Sequence, residues 1–150
     1  MNEIVVGVDG SDESRDALGW AVEEGRLRHV PVRAIHAWEL PLIPTGVGLV
    51  PPAPDVVAEL TSLAEGAQRL VATVVETVVG DAQDVAVDAV AIEGKPSQVL
   101  LDAAEEDAQM IVVGSRGHGG FTALLIGSVS EQVARHAPCP VVVHRRRREA

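Results

Sequence analysis

Between Gly114 and Ser128 the chain reads G-S-R-G-H-G-G-F-T-A-L-L-I-G-S, which places Gly114, Gly117, Gly119, Gly120 and Gly127 in one connection. Five of the chain's fourteen glycines serve this single segment, whereas an ordinary turn needs one or two. Glycine lets backbone N–H groups turn toward a ligand and lets phosphate oxygens approach without striking a Cβ. The chemistry such a segment suits is the cradling of an anion, above all a phosphate. Directly after it, Ser128-Val129-Ser130-Glu131 has the form of a capping box, so Ser128 is expected as the N-cap of a helix. The N–H groups of that first turn and the positive end of the helix also favour an anion.

Two familiar phosphate motifs do not fit. A P-loop needs a lysine after its last glycine, and here Ser128 follows Gly127 directly. A dinucleotide fingerprint follows the first strand of its fold, whereas this segment lies late in the chain. Elsewhere, Asp9-Gly10-Ser11 closes an apolar run, and Asp9 suits either a strand-end Asx turn or contact with a ligand. Arg116 suits either phosphate neutralisation or solvent. His118 is the one histidine of the loop, but no spacing pairs it with a nucleophile, so no catalytic residue is assigned. His29, His36, His136 and His144 are scattered without metal-ligand spacing, and no protein metal site is expected.

The elements that must position these residues follow from periodicity. Glu3 to Asp9 is a β-branched run and reads as a buried strand, with Ser11 capping a helix over 12–29 that Pro31 closes. Asp12 and Glu13 fill the positive end of that helix and would repel phosphate there, so the phosphates are expected over the glycine loop. Val32 to Trp38 is a second strand. Residues 39–54 hold five of the nine prolines and read as a long loop. Apolar residues at three- and four-residue steps predict a helix over 55–79, stopped by Gly80. Residues 84–92 suit a strand near a sheet edge, Pro96 starts a third helix, and Met110–Val113 and Val141–Val143 are strands flanking the loop and a helix from Ser128 to about His136. The order β-α-β-α-β-α-β-α-β predicts a single open five-stranded parallel sheet with helices on both faces. Ligands bind such sheets beyond the carboxyl ends of the strands, where the strand order reverses. The first strand delivers Asp9 there, and the fourth delivers Gly114.

Composition narrows the classes further. A chain of 150 residues with 47% hydrophobic content supports one buried core. The single cysteine, Cys139, allows no intrachain disulfide and is expected to be a buried, inert thiol in a reducing compartment. With neither a leader pattern nor an apolar run of spanning length, the sequence is expected to be cytoplasmic and not to engage a membrane. The formal net charge is −10, and four of the twelve basic residues lie in the tail Arg145–Arg148, so the remainder is more acidic still and nucleic-acid binding is not expected. The tail reads as a solvated, frayed end. Three aromatic residues, Trp20, Trp38 and Phe121, are too few for base-stacking platforms.

Spacing alone stops at a phosphate-bearing ligand. The pattern G-x-x-G, nine residues, G-S, formed by Gly114 to Gly117, residues 118–126 and Gly127-Ser128, resembles the nucleotide motif of the universal stress protein family. The resemblance extends over the opening Ile-Val-Val-Gly-Val-Asp-Gly-Ser, the strand ending His36-Ala37-Trp38, the Gly94-Lys95-Pro96 turn, Val-Val-Gly-Ser-Arg-Gly and the closing Cys-Pro-Val-Val-Val. It implies a Rossmann-like fold of the adenine nucleotide alpha hydrolase type and a nucleotide-binding domain over 1–144, followed by a charged tail at 145–150. It also implies ATP, arriving with magnesium held through phosphates and water. Asp9 would then contact the nucleoside together with Gly10 and Ser11, and Ala37 would offer backbone groups to adenine. The phosphates would lie among Gly114, Ser115, Arg116, Gly117, His118, Gly119, Gly127, Ser128, Val129 and Ser130. A homodimer through the last strand, about Pro140 to His144, is a further implication. Three functions stay open on these residues: an ATP-holding stress-response or regulatory module with little turnover, a slow ATPase or self-phosphorylating enzyme accepting at Ser115, Thr122, Ser128 or Ser130, and a nucleotide-independent dimeric interaction protein. No base is evident in the sequence beside any of those hydroxyls.

Overall fold

A computed structural model describes residues 2–40, 53–82, 84–116 and 126–147. In chain order the elements are β1 (Glu3–Gly7), α1 (Asp12–Arg28), β2 (Val32–Trp38), α2 (Pro54–Val79), β3 (Val87–Glu93), α3 (Pro96–Glu105), β4 (Ala108–Gly114), α4 (Ser128–His136) and β5 (Val141–His144). The strands form one parallel sheet in the order β3-β2-β1-β4-β5, so β1 and β4 are neighbours and the order reverses between them. This is the open, doubly covered sheet that the alternation of patterns predicts.

Alternation along the strands divides the core in two. Ile4, Val6 and Val8 face α1 and α2 and pack with Leu18, Ala21, Val71 and Val74, while Val5, Ile35, Ile111 and Val113 face α3 and α4 and pack with Leu100, Ala103 and Val133. The near-continuous apolar character of β1 and β4 follows from burial on both faces. β3 is an edge strand, as its mixed pattern suggests, and its outer rim is occupied: the Gln68 amide of α2 donates to the Ala89 carbonyl (2.8 Å) and accepts from the Ala91 N–H (2.9 Å). A side chain there stands in for a missing strand.

Several expectations need correction. β1 ends at Gly7, not Asp9. α1 is stopped by His29 in the left-handed region (φ 56°), whose N–H bonds to the Gly25 carbonyl, before Pro31 is reached. The helix leaves one of its large apolar side chains, Leu27, 72% exposed. β3 begins at Val87 and β4 at Ala108. The N-cap of α4 is Gly127, extended at φ −72° and ψ 161°, with Ser128 in the first helical position and no side-chain cap bond. The capping box therefore does not form, and Glu131 pairs with Arg135 instead. Cys139 is half-buried rather than buried. The arginine tail is in part pinned, since Arg146 pairs with Asp12 and Asp16, both at 3.2 Å. The loop expected over 39–54 falls mostly on residues 41–52, outside the described residues.

Candidate functional site at the reversal of strand order

The site is built where β1 stops and β2 continues. The last rung between them is the Val8 N–H donating to the Ile35 carbonyl at 2.8 Å, after which the chain turns away. In a parallel ladder one strand's bonding residues alternate between its two neighbours. Ile35 bonds toward β1, and Trp38 accepts from the Gly94 N–H on the β3 side, so Ala37 directs its N–H and C=O toward β1, past the end of that strand. The Val8 carbonyl that would be its next partner is taken by His36 Nδ1, which donates to it at 2.8 Å. Ala37 thus presents an adjacent donor and acceptor, with no partner for either among the described residues.

The turn after β1 is locally determined. Asp9 Oδ1 accepts from the Ser11 N–H (2.9 Å) and from Ser11 Oγ (2.5 Å), an Asx turn made possible by Gly10 at φ 84°. Ser11 Oγ in turn accepts from the Ser14 N–H at 3.2 Å and caps α1. Asp9 and Gly10 also line one end of a cleft of about 350 Å³ between α1 and α2, whose walls include Arg15, Arg69 and Thr73.

Across the reversal, the start of the glycine loop is knit to three elements. Ser115 N–H donates to the His144 carbonyl of β5 (2.9 Å), and the Ser115 carbonyl accepts from the Gly127 N–H (2.6 Å). Ser130 Oγ of α4 donates to the Gly114 carbonyl at 2.5 Å. Glu13 Oε2 of α1 accepts from Ser115 Oγ (2.8 Å) and from the Arg116 N–H (2.7 Å). Ser115 and Ser130 are 6% and 4% exposed, with their hydroxyls turned into the protein. Ser128 is exposed at the start of α4, and by helix geometry the N–H groups of Ser128, Val129 and Ser130 have no acceptor within the helix. Gly117, His118 and Gly119 lie outside the described residues. The remaining sequence-predicted positions gather at one end of the sheet, in the turn after β1, at the ends of β2 and β4, just after β4 and at the start of α4. Among the described residues no cluster of His, Cys, Asp or Glu is disposed to hold a metal, and no helix is long and apolar enough to cross a membrane.

Sequence reasoning did not single out Glu13 and His36 as site residues. Glu13 was read only as an acid in the first turn of a helix, and nothing in the spacing shows that it meets residues about a hundred positions later. His36 gave a weak signal, as the one polar residue besides Arg33 in an otherwise apolar strand.

A profile of the universal stress protein family matches residues 1–145. The chain belongs to that family. A universal stress protein of Mycobacterium tuberculosis is 37% identical over 142 residues, covering 95% of this chain and 44% of the relative. The chain therefore spans about half the length of the curated relatives it matches. Among solved structures, UspA from Lactobacillus plantarum superposes with a TM-score of 0.69 at 25% identity, covering 95% of this chain and 96% of that one. A universal stress protein from Archaeoglobus fulgidus in complex with dAMP superposes with a TM-score of 0.55 at 26% identity, covering 95% and 97%.

Proposed function

We propose that this chain holds an adenine nucleotide, ATP with magnesium, across the reversal between β1 and β4, as a regulatory or stress-response module with little or no turnover. The observation that carries the reading is the open backbone of Ala37. One donor and one acceptor on a single residue complement the N1 acceptor and the N6 amino donor of adenine, and guanine reverses that pattern. The dAMP held by the Archaeoglobus fulgidus relative supports an adenine nucleotide as the ligand. From Ala37 the nucleoside runs past Asp9, Gly10 and Ser11. Its phosphates reach Gly114, Arg116, Gly117, His118, Gly119 and Gly127 and the first-turn N–H groups of Ser128, Val129 and Ser130, an anion-favouring helix end. Ser115 belongs to the site as a positioning residue, since its hydroxyl is committed to Glu13, its N–H to the His144 carbonyl and its carbonyl to the Gly127 N–H. Residues 1–144 form the nucleotide-binding domain, working in the cytoplasm as a homodimer joined along Pro140 to His144, with no nucleic-acid or membrane partner. Mass spectrometry of the purified protein should release an adenine nucleotide on denaturation, and calorimetry should show ATP binding preferred over GTP. Absence of both refutes the reading.

A self-phosphorylating enzyme has one observation in its favour: Glu13 supplies a carboxylate at 2.8 Å from Ser115 Oγ, within reach for a general base. Ser115 is 6% exposed, however, and the same oxygen of Glu13 also accepts the Arg116 N–H, as an anchor would. Steady ADP release, or phosphate on Ser115 after incubation with ATP, would favour the enzyme.

A further inference from the structure

We infer that the cleft between α1 and α2 is a second ligand site, which takes a small phosphate ester; the inference stands apart from the nucleotide reading. The cleft holds about 350 Å³, within the range of small-molecule sites. Two cations line it, Arg15 from the first turn of α1 and Arg69 from the middle of α2. Arg26, Arg28, Arg33, Arg135 and Arg146 each hydrogen-bond a carboxylate. Arg15 and Arg69 do not. They stand 3.6 Å from Asp12 and 4.0 Å from Glu65, near enough for attraction and too far for a hydrogen bond, and Asp12 is shared with Arg146. In a chain where acids outnumber bases 22 to 12, the two guanidinium forks that face this cleft are thus the ones that keep their N–H donors unspent on any carboxylate among the described residues.

The rest of the lining suits the same ligand. Thr61 and Thr77 of α2 turn their hydroxyls back onto the carbonyls four residues earlier, at 3.0 and 2.8 Å. Thr73, on the cleft wall, makes no such bond among the described residues, so its hydroxyl can donate to an oxyanion. Two forks on opposite walls and a hydroxyl call for three acceptor oxygens out of one plane, which a phosphate offers and a planar carboxylate does not. Leu70 and Val74 supply an apolar strip for a short carbon body. Gly66 keeps the wall open: an added Cβ would meet only Arg69 Nη2, at 3.8 Å, so the chain's own packing does not require glycine at a helix-interior position that glycine weakens. Asp9 is the one acid on the lining and belongs to the α1 side, which steers an anion toward Arg69 on the α2 wall. Side chains 45% and 70% exposed put the two forks at the mouth, where a ligand exchanges with solvent.

Titration with glycerol 3-phosphate, followed by NMR of backbone amides and arginine Nε–H groups, should move the signals of Arg15, Gly66, Arg69 and Thr73 on one saturating curve. Glycerol should move none of them, and glycerate, with a carboxylate for the phosphate, should bind more weakly. Arg15→Gln and Arg69→Gln should each weaken binding about fivefold or more. Gly66→Ala should weaken it as well while raising the thermal midpoint, since alanine favours the helix, so that lost binding there is not lost folding. Shifts spread equally over Arg28 and Arg135, glycerate bound as tightly as glycerol 3-phosphate, or wild-type affinity in R69Q or G66A overturns the inference. Adenosine tests whether the shared Asp9-Gly10 turn makes the two sites one: binding of glycerol 3-phosphate unchanged by adenosine supports a separate site, and displacement by adenosine overturns it.

Discussion

Replacing Ala37 by proline tests the adenine contact at its backbone donor. Because β2 bonds to β3 through Val32, Ala34, His36 and Trp38, the Ala37 N–H takes no part in that ladder. Proline there removes a donor and puts a methylene where the base edge would approach. The residue before a proline must be extended, which His36 in β2 already is. Ala37 also packs half-buried against the core shared with α3, so the larger ring costs about 1–3 kcal/mol of overpacking. A domain with about 5–15 kcal/mol of stability tolerates that loss, and urea denaturation measures it. On the ligand side, one hydrogen bond is lost and an acceptor on the base is stranded, worth about 1–3 kcal/mol. Converted through RT, this weakens ATP binding about five- to 150-fold. Calorimetry should also show the preference for ATP over GTP reduced, since the donor that distinguishes them is gone. A folded A37P variant that binds ATP within about twofold of wild type and keeps the preference would refute the placement of adenine on Ala37.

Other expectations concern the frame around the site. Ser130→Ala leaves the Gly114 carbonyl without the hydroxyl that donates to it in a buried setting, and chemical denaturation should show a loss of about 1–3 kcal/mol; unchanged stability would mean that the bond contributes nothing. Gly25→Ala would place a Cβ 2.8 Å from Val32 Cγ2 and 2.9 Å from the Val30 carbonyl oxygen, so thermal unfolding should move down by the equivalent of about 1–3 kcal/mol or more. Burial raises the Cys139 thiol above its ordinary range. A raised pKa in the fold means that the unfolded chain ionises first, so stability should fall as pH rises through the usual cysteine range. Alkylation by iodoacetamide should be slower in native than in urea-unfolded protein at pH 8; equal rates would show a freely ionising thiol.

The parts of the fold that were legible are those decided within a few residues. The bounds of β2 and α4, the proline start of α3 and the Ser11 cap are local matters of periodicity and cap chemistry. Where the reading failed, a contact from elsewhere in the fold or a one-residue competition decided the outcome. β1 stops at Gly7 although Val8 is apolar and buried, because the His36 ring takes the carbonyl that would have continued the ladder. Ser128 lost the N-cap to Gly127, whose extended backbone and carbonyl, accepting from the Glu131 N–H, fill that position. The glycine loop was legible as a segment, but its attachment was not: Glu13 and Ser115 are 102 residues apart, and only the adjacency of β1 and β4 brings them together.

Under the proposed reading, recognition at both ends of the nucleotide falls to the main chain: the N–H and C=O of Ala37 for the base, the N–H groups opening α4 for the phosphates. That division suits a chain with a net charge of −10, in which a cluster of cations strong enough to hold a triphosphate would be drawn to the protein's own carboxylates, as Arg146 is drawn to Asp12 and Asp16. Backbone donors carry no such liability, because their direction is fixed by the sheet and the helix before any ligand arrives. The consequence for mutagenesis is specific. Alanine at Ser128 leaves its N–H in place for the phosphates, and alanine at Arg116 keeps the N–H that bonds to Glu13, so both should weaken ATP binding little, whereas changes that move or block the main chain, such as proline at Ala37 or loss of the Glu13 anchor, should weaken it most. An alanine scan in which Ser128 and Arg116 dominated would point instead to a site held by side chains.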